Sequence, residues 1–386
     1  MSASRAISEH AARIRSFIET DGVGGSVCGR LEGTEAVFNA LALGLFRVQF
    51  EHIPVYRGFC RNRGISPERV ERWEQIPPLP VGAFKEAEVS VLDESERLFV
   101  FHSSSTTGQK PSRHFHDAAS LGLYEASLVP GFEGHLLPDR LCGARFVSLT
   151  PPPSRVPRSS LAYMLDVVGR RFGSGDSVFT GHLTADGEWD VDCELSGAML
   201  REAIADCRPV VVLGTAFNFV QLADSMARAN AWLRLAPGSR VMETGGYKGK
   251  SRSLPKLELH RLLGVRLGLA GSHVISEYGM SELSSQAYDA RVGETIEGGL
   301  EPVRLFRFPA WVRVQIISPE NGREVALGET GLVRVFDLAN AYSVSALQTE
   351  DLARSWAGGF ELLGRADRAE PRGCSLMTRE TYDPAF

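Results

Sequence analysis

Residues 98–111 read Leu98-Phe99-Val100-Phe101-His102-Ser103-Ser104-Ser105-Thr106-Thr107-Gly108-Gln109-Lys110-Pro111, a strand-like apolar run that opens into five consecutive hydroxyl side chains, a glycine and a lysine. A polyphosphate is held by several donors on a pliable backbone. This loop offers hydroxyls, N–H groups around Gly108 and the cation of Lys110. A Ser/Thr-rich turn after a strand is also a common solvated connection, so the rest of the chain decides between the two readings.

Composition describes a globular protein of enzyme size. The 386 residues exceed one typical domain, and an apolar fraction of 43% is ample for a buried core. The 42 basic and 47 acidic residues give a formal charge of -5 and are spread along the chain. They form neither a basic stripe for nucleic acid nor a polybasic patch for lipid. Met1 to Thr20 interleaves Arg5, Glu9, Arg13, Arg15 and Glu19 with Ile7, Ile14, Phe17 and Ile18, which predicts an amphipathic helix and no apolar leader. The longest apolar candidate, Val210 to Leu213, is broken by Gly214, Asn218 and Gln221, well short of the roughly 18 apolar residues of a membrane span. A soluble, cytoplasmic protein without nucleic-acid or membrane partners is expected.

Cys28, Cys60, Cys142, Cys193, Cys207 and Cys374 make no C-x-x-C pair, which argues against structural zinc and against a disulfide framework. All but Cys374 are expected as small core hydrophobes. His114-x-His116 shares one strand face, but no second ligand pair follows at useful spacing. The metal expected here arrives with a nucleotide.

Outward from the opening loop, helical patterns cover 34–50 and 66–75. Beyond the proline-rich stretch Thr150 to Pro157, read as an extended surface loop, short β-branched runs alternate with helical ones. Strands are predicted at Arg145 to Leu149, Pro209 to Leu213, Ser239 to Met242 and His273 to Tyr278, with helices at 159–171, 196–206, 217–234 and 255–263. Such alternation implies βαβ units, a mainly parallel sheet and a ligand at the carboxyl ends of its strands. From about 310 the pattern changes. Trp311 to Ser318 and Leu332 to Phe336 flank Glu320-Asn321-Gly322 and Gly328-Glu329-Thr330-Gly331, as in an antiparallel β region.

Three further loop segments follow the first: Glu243-Thr244-Gly245-Gly246-Tyr247-Lys248-Gly249-Lys250, then Ser276-Glu277-Tyr278-Gly279-Met280-Ser281-Glu282, then Thr349-Glu350-Asp351 through Gly364-Arg365-Ala366-Asp367-Arg368. In that order the four resemble the adenylate-forming (ANL) superfamily of acyl-CoA synthetases, luciferases and peptide-synthetase adenylation domains. Within it the chain is most similar to the acyl-protein synthetases of bacterial luminescence operons, the LuxE-type long-chain-fatty-acid protein ligases. The wording Phe-His-Ser-Ser-Ser-Thr-Thr-Gly, the wording Glu-Thr-Gly-Gly-Tyr-Lys-Gly and a stop soon after Glu370-Pro371-Arg372-Gly373-Cys374-Ser375 carry that likeness.

The resemblance implies an α/β fold: an acyl-CoA-synthetase-like large domain over 1–363, with mainly parallel sheets flanked by helices. A helical N-terminal part would run to about 95, a smaller antiparallel β region would start near 310, and the C-terminal lid domain would be absent. Residues 364–386 would be a short tail carrying Cys374. It further implies ATP and Mg2+, with Ser103, Ser104, Ser105, Thr106, Thr107, Gly108 and Lys110 on the ATP phosphates. Gly245, Gly246 and Tyr278 would wall the adenine in the loop that also holds Gly279 and Ser281. Glu282 would hold Mg2+, Asp351 would take the ribose hydroxyls with Arg365 beside it, and Cys374 would receive the acyl group. A carboxylic acid is the implied substrate, and an acyl donor enzyme, an acyl reductase or a carrier protein the implied partners.

The chemistry agrees with these residue types. A carboxylate is a poor acyl donor, and attack on the α-phosphorus of ATP with loss of pyrophosphate turns it into an acyl-adenylate. The site must neutralise phosphate charge without itself attacking. A thiol then takes the acyl group, helped by cations such as Arg365, Arg368 or Arg372.

The chain departs from the superfamily in three places, one of them Lys110, which precedes Pro111 instead of following it. The lid lysine has no counterpart, for which Lys248 or Lys250 would substitute, and Ser105 stands where many relatives carry glycine. Structural readings run alongside. His102 either meets phosphate and steers the substrate or is merely hydrogen-bonded at a strand end. Asp351 and Arg365 could be a plain ion pair, and Cys374 a buried thiol. Thr244 to Ser251 nearly spells a P-loop but lacks its first glycine. The acid pocket is expected around Phe217, Phe219, the Gly268-to-His273 loop and Phe101. Coenzyme A, a carrier thiol or an amine stays open as acceptor, as does a non-catalytic nucleotide-binding role.

Overall fold

A computed structural model describes residues 3–22, 32–103, 110–246, 254–295 and 303–366. Its organising element is a six-stranded sheet in the order Ala287–Tyr288, Val274–Tyr278, Arg240–Thr244, Val210–Thr215, Arg145–Ser148, Val178–Phe179. All neighbours are parallel except the Ala287–Tyr288 edge. The strand period of two sorts the apolar residues onto two faces. Val211, Leu213, Met242 and Ile275 meet helices Ala118–Leu136 and Ser160–Phe172 through Tyr124, Leu128, Phe132 and Met164. Val210, Val212, Val241 and Val274 meet Leu200, Phe219, Leu259 and Leu263 from helices Cys193–Ala205, Ala216–Arg228 and Lys256–Leu267. Burial on both faces explains why these strands read as continuous apolar runs.

Local signals fix several helix starts. Asp117 accepts from Ser120 N at 2.7 Å, Asp192 from Leu195 N at 2.8 Å and Thr215 from Asn218 N at 3.1 Å, each satisfying an amide that the first turn leaves open. The predicted strands at 145–149, 209–213, 239–242 and 273–278 are present to within two residues.

The second sheet is antiparallel: Val312–Ile317, Thr330–Asp337, Ala346–Trp356 and Gly359–Arg365, with Leu79–Pro80 joining Ala346–Trp356 in parallel. Its core is shared with helices Ala3–Gly22 and Glu32–His52 through Ile7, Ile14, Phe38, Phe46, Val335 and Leu347. Gln49 is 0% exposed and locks the two together, donating to Asn340 O at 3.2 Å and Ala341 O at 3.1 Å while accepting from Ser345 Oγ at 3.0 Å. A two-stranded hairpin, Phe99–His102 with Arg113–His116, carries the hydroxyl-rich loop at its tip.

Four expectations are corrected. Residues 66–75 form two 3-10 turns, Pro67–Arg69 and Trp73–Gln75, not a helix, because Pro67 and the anchoring of Trp73 through Asn39 Oδ1 and Glu35 Oε1 break the run. The helix predicted to 234 ends at Arg228, followed by Asn230 at φ +50°. Helix Ala118–Leu136, with Pro130 inside it, was not expected. Of the described cysteines Cys60 is buried and Cys193 is half-buried against the core, but Cys142 and Cys207 are exposed, so the core assignment fails for those two.

Candidate active site

The site begins where strand Val274–Tyr278 ends. Tyr278 is 6% exposed, and its hydroxyl donates to Asp351 Oδ2 at 2.8 Å across 73 residues of sequence. Its ring stands edge-on to Phe306, Phe308 and Phe360, with centroids 6.0, 6.1 and 5.9 Å away. Burial raises the Asp351 carboxyl above its usual range, while the Tyr278 hydrogen bond and Arg365 pull it back. Arg365 is its cross-strand partner, with Nε 3.6 Å from Oδ1, but the guanidinium side chain is 75% exposed. Water screens a pair of that kind and leaves it little stabilising effect.

The loop after Tyr278 is braced from three sides. Ser281 Oγ donates to Glu282 Oε2 at 3.0 Å. His114 Nδ1 meets Ser281 O at 2.7 Å, and because a carbonyl only accepts, Nδ1 carries the proton. Burial lowers His114 to about 4, so the ring is neutral near pH 7. Asn340 Nδ2 donates to Glu282 O at 2.9 Å. Asp337 accepts from Ser284 N at 2.9 Å and Ser285 Oγ at 2.7 Å, and burial raises it to about 6. Gly279 has a reason within the protein itself: a Cβ there would lie 2.5 Å from Glu277 Oε1.

The hairpin approaches through His114. At its tip Ser103 Oγ accepts from Ser112 N at 2.9 Å, which closes the loop and leaves the hydroxyl hydrogen to donate. His102 N donates to Arg158 O at 2.9 Å, and burial, then Arg158 and Arg113, depress its imidazole. Lys110 is exposed. Gly245 and Gly246 follow strand Arg240–Thr244, both exposed, Gly245 at φ +67°. A Cβ on either would meet nothing within 4 Å among the described residues. Ser104, Ser105, Thr106, Thr107, Gly108, Lys248 and Cys374 lie outside the described residues.

The structure therefore joins Tyr278, Asp351 and Arg365 directly. It ties Ser281 and Glu282 to the hairpin of His102 and Ser103, and it sets Gly245 and Gly246 one strand away. Two of the expected pocket residues belong elsewhere. Phe219 is 0% exposed, enclosed in the core between the sheet and helices Cys193–Ala205 and Lys256–Leu267. The Gly268-to-His273 segment precedes strand Val274–Tyr278 and so lies at its amino end, away from Tyr278. Phe101 stays on the site side, its ring 4.8 Å from His116 and 5.5 Å from Tyr163.

Sequence reasoning missed Asp337, Asn340 and the bracing role of His114. Buried polar residues at distant positions carry no local signature; His114 was visible only as half of a histidine pair.

Glu282 suits a hard cation, since its carboxylate is 7% exposed and has no ion-pair partner among the described residues. No group of three protein ligands occurs among the described residues, so Mg2+ held here would complete its shell with phosphate oxygens and water. No described helix is long and apolar enough to cross a membrane.

The chain superposes on a crystal structure of 2-hydroxyisobutyryl-CoA ligase in an open conformation with 2-HIB-AMP and CoA, at a TM-score of 0.59 and 16% identity, covering 86% of this chain and 71% of that one. The postadenylation state of the same ligase with R3-HIB-AMP gives a TM-score of 0.60 at 15% identity, covering 85% and 68%. The fold is that of the adenylate-forming ligases. By sequence the chain is similar to the long-chain-fatty-acid–luciferin-component ligase of Vibrio harveyi, 21% identical over 363 residues, 91% of this chain and 90% of that protein. The resemblance to the LuxE-type acyl-protein synthetases thus spans nearly the whole chain. No protein-family model matches the chain.

Proposed function

We propose that the chain is an AMP-forming ligase that activates a carboxylic acid with ATP and passes the acyl group to a thiol, its own Cys374. The observation that carries this reading is the Tyr278–Asp351 hydrogen bond, which draws two motifs far apart in sequence into one corner beside the Glu282 loop. The similarity to a ligase of long-chain fatty acids supports it.

In this reading Asp351, held by Tyr278, accepts from the ribose hydroxyls, and Gly245 and Gly246 leave room for the adenine. Ser103, Lys110 and the hydroxyls between them donate to the phosphates. Mg2+, when bound at Glu282, offsets phosphate charge as pyrophosphate departs. The residues around the site hold the acid carboxylate in line with the α-phosphorus and keep water out. A carboxylate oxygen bonds to that phosphorus while the bond to pyrophosphate breaks. The Cys374 thiolate then bonds to the acyl carbon and AMP leaves, the thiol proton having passed to solvent or a nearby base. A free thiol has a pKa of about 8.5 and is a few per cent ionised at neutral pH, so cations such as Arg365, Arg368 or Arg372 would raise that fraction. Lys248 is the proposed cation at the carboxylate, and His102, at the end of its hairpin strand, is the proposed contact to phosphate or acid. An acyl donor enzyme would supply the acid, and an acyl reductase or carrier protein would collect the product.

Incubation with ATP, Mg2+ and fatty, aryl and short acids, followed by intact-mass measurement, tests the transfer. The expected result is a hydroxylamine-labile acyl adduct on the wild type that Cys374→Ala lacks. An adduct unchanged in Cys374→Ala contradicts self-acylation. AMP release that requires added coenzyme A or an amine, with no adduct, assigns the acceptor outside the chain.

A further inference from the structure

Thr244, Glu277 and Tyr288 form a row. Glu277 is the register partner of Thr244 on one neighbouring strand and of Tyr288 on the other, so the three side chains stand abreast on the same face. That face is the one covered by helices Ala118–Leu136 and Ser160–Phe172. Thr244 Oγ1 donates to Glu277 Oε2. The remaining electrostatic neighbours of Glu277 are Glu243, Tyr124 and Tyr288, with no cation in contact among the described residues.

Two further groups on this side lack partners among the described residues. Tyr288 Oη and His116 Nε2 are buried without a hydrogen bond, in residues 1% and 2% exposed. Native proteins rarely leave such groups unmatched. Phe101, Tyr124 and Tyr163 supply aromatic surface between them, with Phe101 5.9 Å from Tyr124 and Tyr124 6.0 Å from Tyr163. The row ends one residue before Tyr278 and beside Gly245, at the carboxyl ends of the two central strands.

We propose that Glu277, with Tyr288, is the specificity-determining wall of the acid subsite, and that the acid taken by this chain carries a hydrogen-bond donor, a hydroxyl or an ammonium group, that Glu277 accepts. The proposal rests on the ligase reading and deepens it. A pocket that served an unadorned hydrocarbon chain would gain from apolar residues at both positions, because a buried carboxylate without a cation weakens packing and rejects alkyl groups. Burial pushes Glu277 up to about 7, so the group accepts from a hydroxyl in either form and from an ammonium as a carboxylate. Tyr288, beside Glu277 in the row, then offers its Oη to a lone pair or a second hydrogen of the same substituent.

The test is ATP–pyrophosphate exchange with matched acids of equal length bearing a methyl, hydroxyl or ammonium group at the same carbon. Wild type is expected to prefer a donor-bearing acid over its methyl counterpart by about tenfold or more in kcat/KM, because a site built for a hydrogen bond rejects the analogue lacking it. The hydroxyl and ammonium arms tell the two donors apart. Glu277→Leu is expected to invert the preference, and the nearly isosteric Tyr288→Phe to narrow it severalfold. Exchange that favours methyl acids in wild type, or a preference unmoved by both substitutions, overturns the subsite and leaves the ligase standing. Exchange absent with every acid removes the ligase reading, and the subsite with it.

Discussion

Consecutive residues of strand Val274–Tyr278 face opposite sides of the sheet and meet opposite fates. Ser276 points into a polar circuit held by hydrogen bonds and by the Arg304–Asp289 ion pair. Its hydroxyl donates to Glu243 Oε1 and lies 3.3 Å from His260 Nε2. Its amide donates to Asp289 Oδ1 at 2.8 Å. Arg304 completes the ring, 3.3 Å from His260 Nδ1, 2.8 Å from Val274 O and 3.2 Å from Asp289 Oδ1. Glu277, one residue later, has a hydroxyl from Thr244 and two tyrosines in range, but no charge partner among the described residues. Buried polar groups that satisfy one another act as a brace. Buried polar groups left open beside a set of ligand loops are where a substrate supplies what the protein lacks.

Breaking the brace should have the largest effect. Arg304→Ala leaves Asp289, 0% exposed, with Lys256 Nζ at 3.9 Å as its remaining cation among the described residues, and is expected to lower unfolding free energy by about 3 kcal/mol in urea denaturation. A loss below about 1 kcal/mol would mean the circuit is no stronger than a surface pair.

The opposite face should respond with the opposite sign. Glu277 has its carboxyl raised from 4.5 to about 7 in the folded chain, so the native state binds more protons between those values. Its contribution is intact below the unfolded pKa and is lost as pH climbs through 7. Glu277→Gln removes that loss. Melting curves at pH 5 and pH 8 should show the variant gaining on wild type as pH rises, by up to about 3 kcal/mol. The buried histidines His114 and His116 titrate in both proteins and leave the difference untouched. A gap that is constant with pH would contradict a buried, unpaired carboxyl.

Much of the fold was legible because its causes are local. Apolar runs buried on two faces, such as Val210 to Leu213, read as strands, and the break at Gly328 to Gly331 announced the antiparallel sheet. Helix Ala118–Leu136 was not legible, since Gly122, Pro130, Gly131 and Gly134 interrupt it and both its sides are packed, which erases the amphipathic stripe. At the site, residues within short motifs, Tyr278, Glu282 and Asp351, could be picked out one by one. What the sequence concealed is pairing at long range: His114 with Ser281, Asp337 with Ser285, Glu277 with Tyr288. Register and crossover decide those contacts, and no short stretch of residues encodes them.

Two smaller effects sharpen the contrast between bracing and binding. Tyr278→Phe deletes the hydroxyl on Asp351. It is expected to cost about 1–2 kcal/mol of stability and to raise the KM for ATP in exchange assays, whereas a stability loss with unchanged KM would make the contact a brace alone. Arg365→Ala removes an exposed guanidinium and should change stability by less than about 0.5 kcal/mol. An increase in the KM for ATP would then report contact with nucleotide rather than altered folding.

The central claim is that these loops assemble around ATP and a carboxylic acid. Acid-dependent ATP–pyrophosphate exchange, compared between wild type and Asp351→Ala after circular dichroism has established that both are folded, tests it most directly. The account expects exchange well above background with at least one acid and its loss in Asp351→Ala. Exchange absent across fatty, aryl and short acids alike, or undiminished in the folded variant, would contradict it.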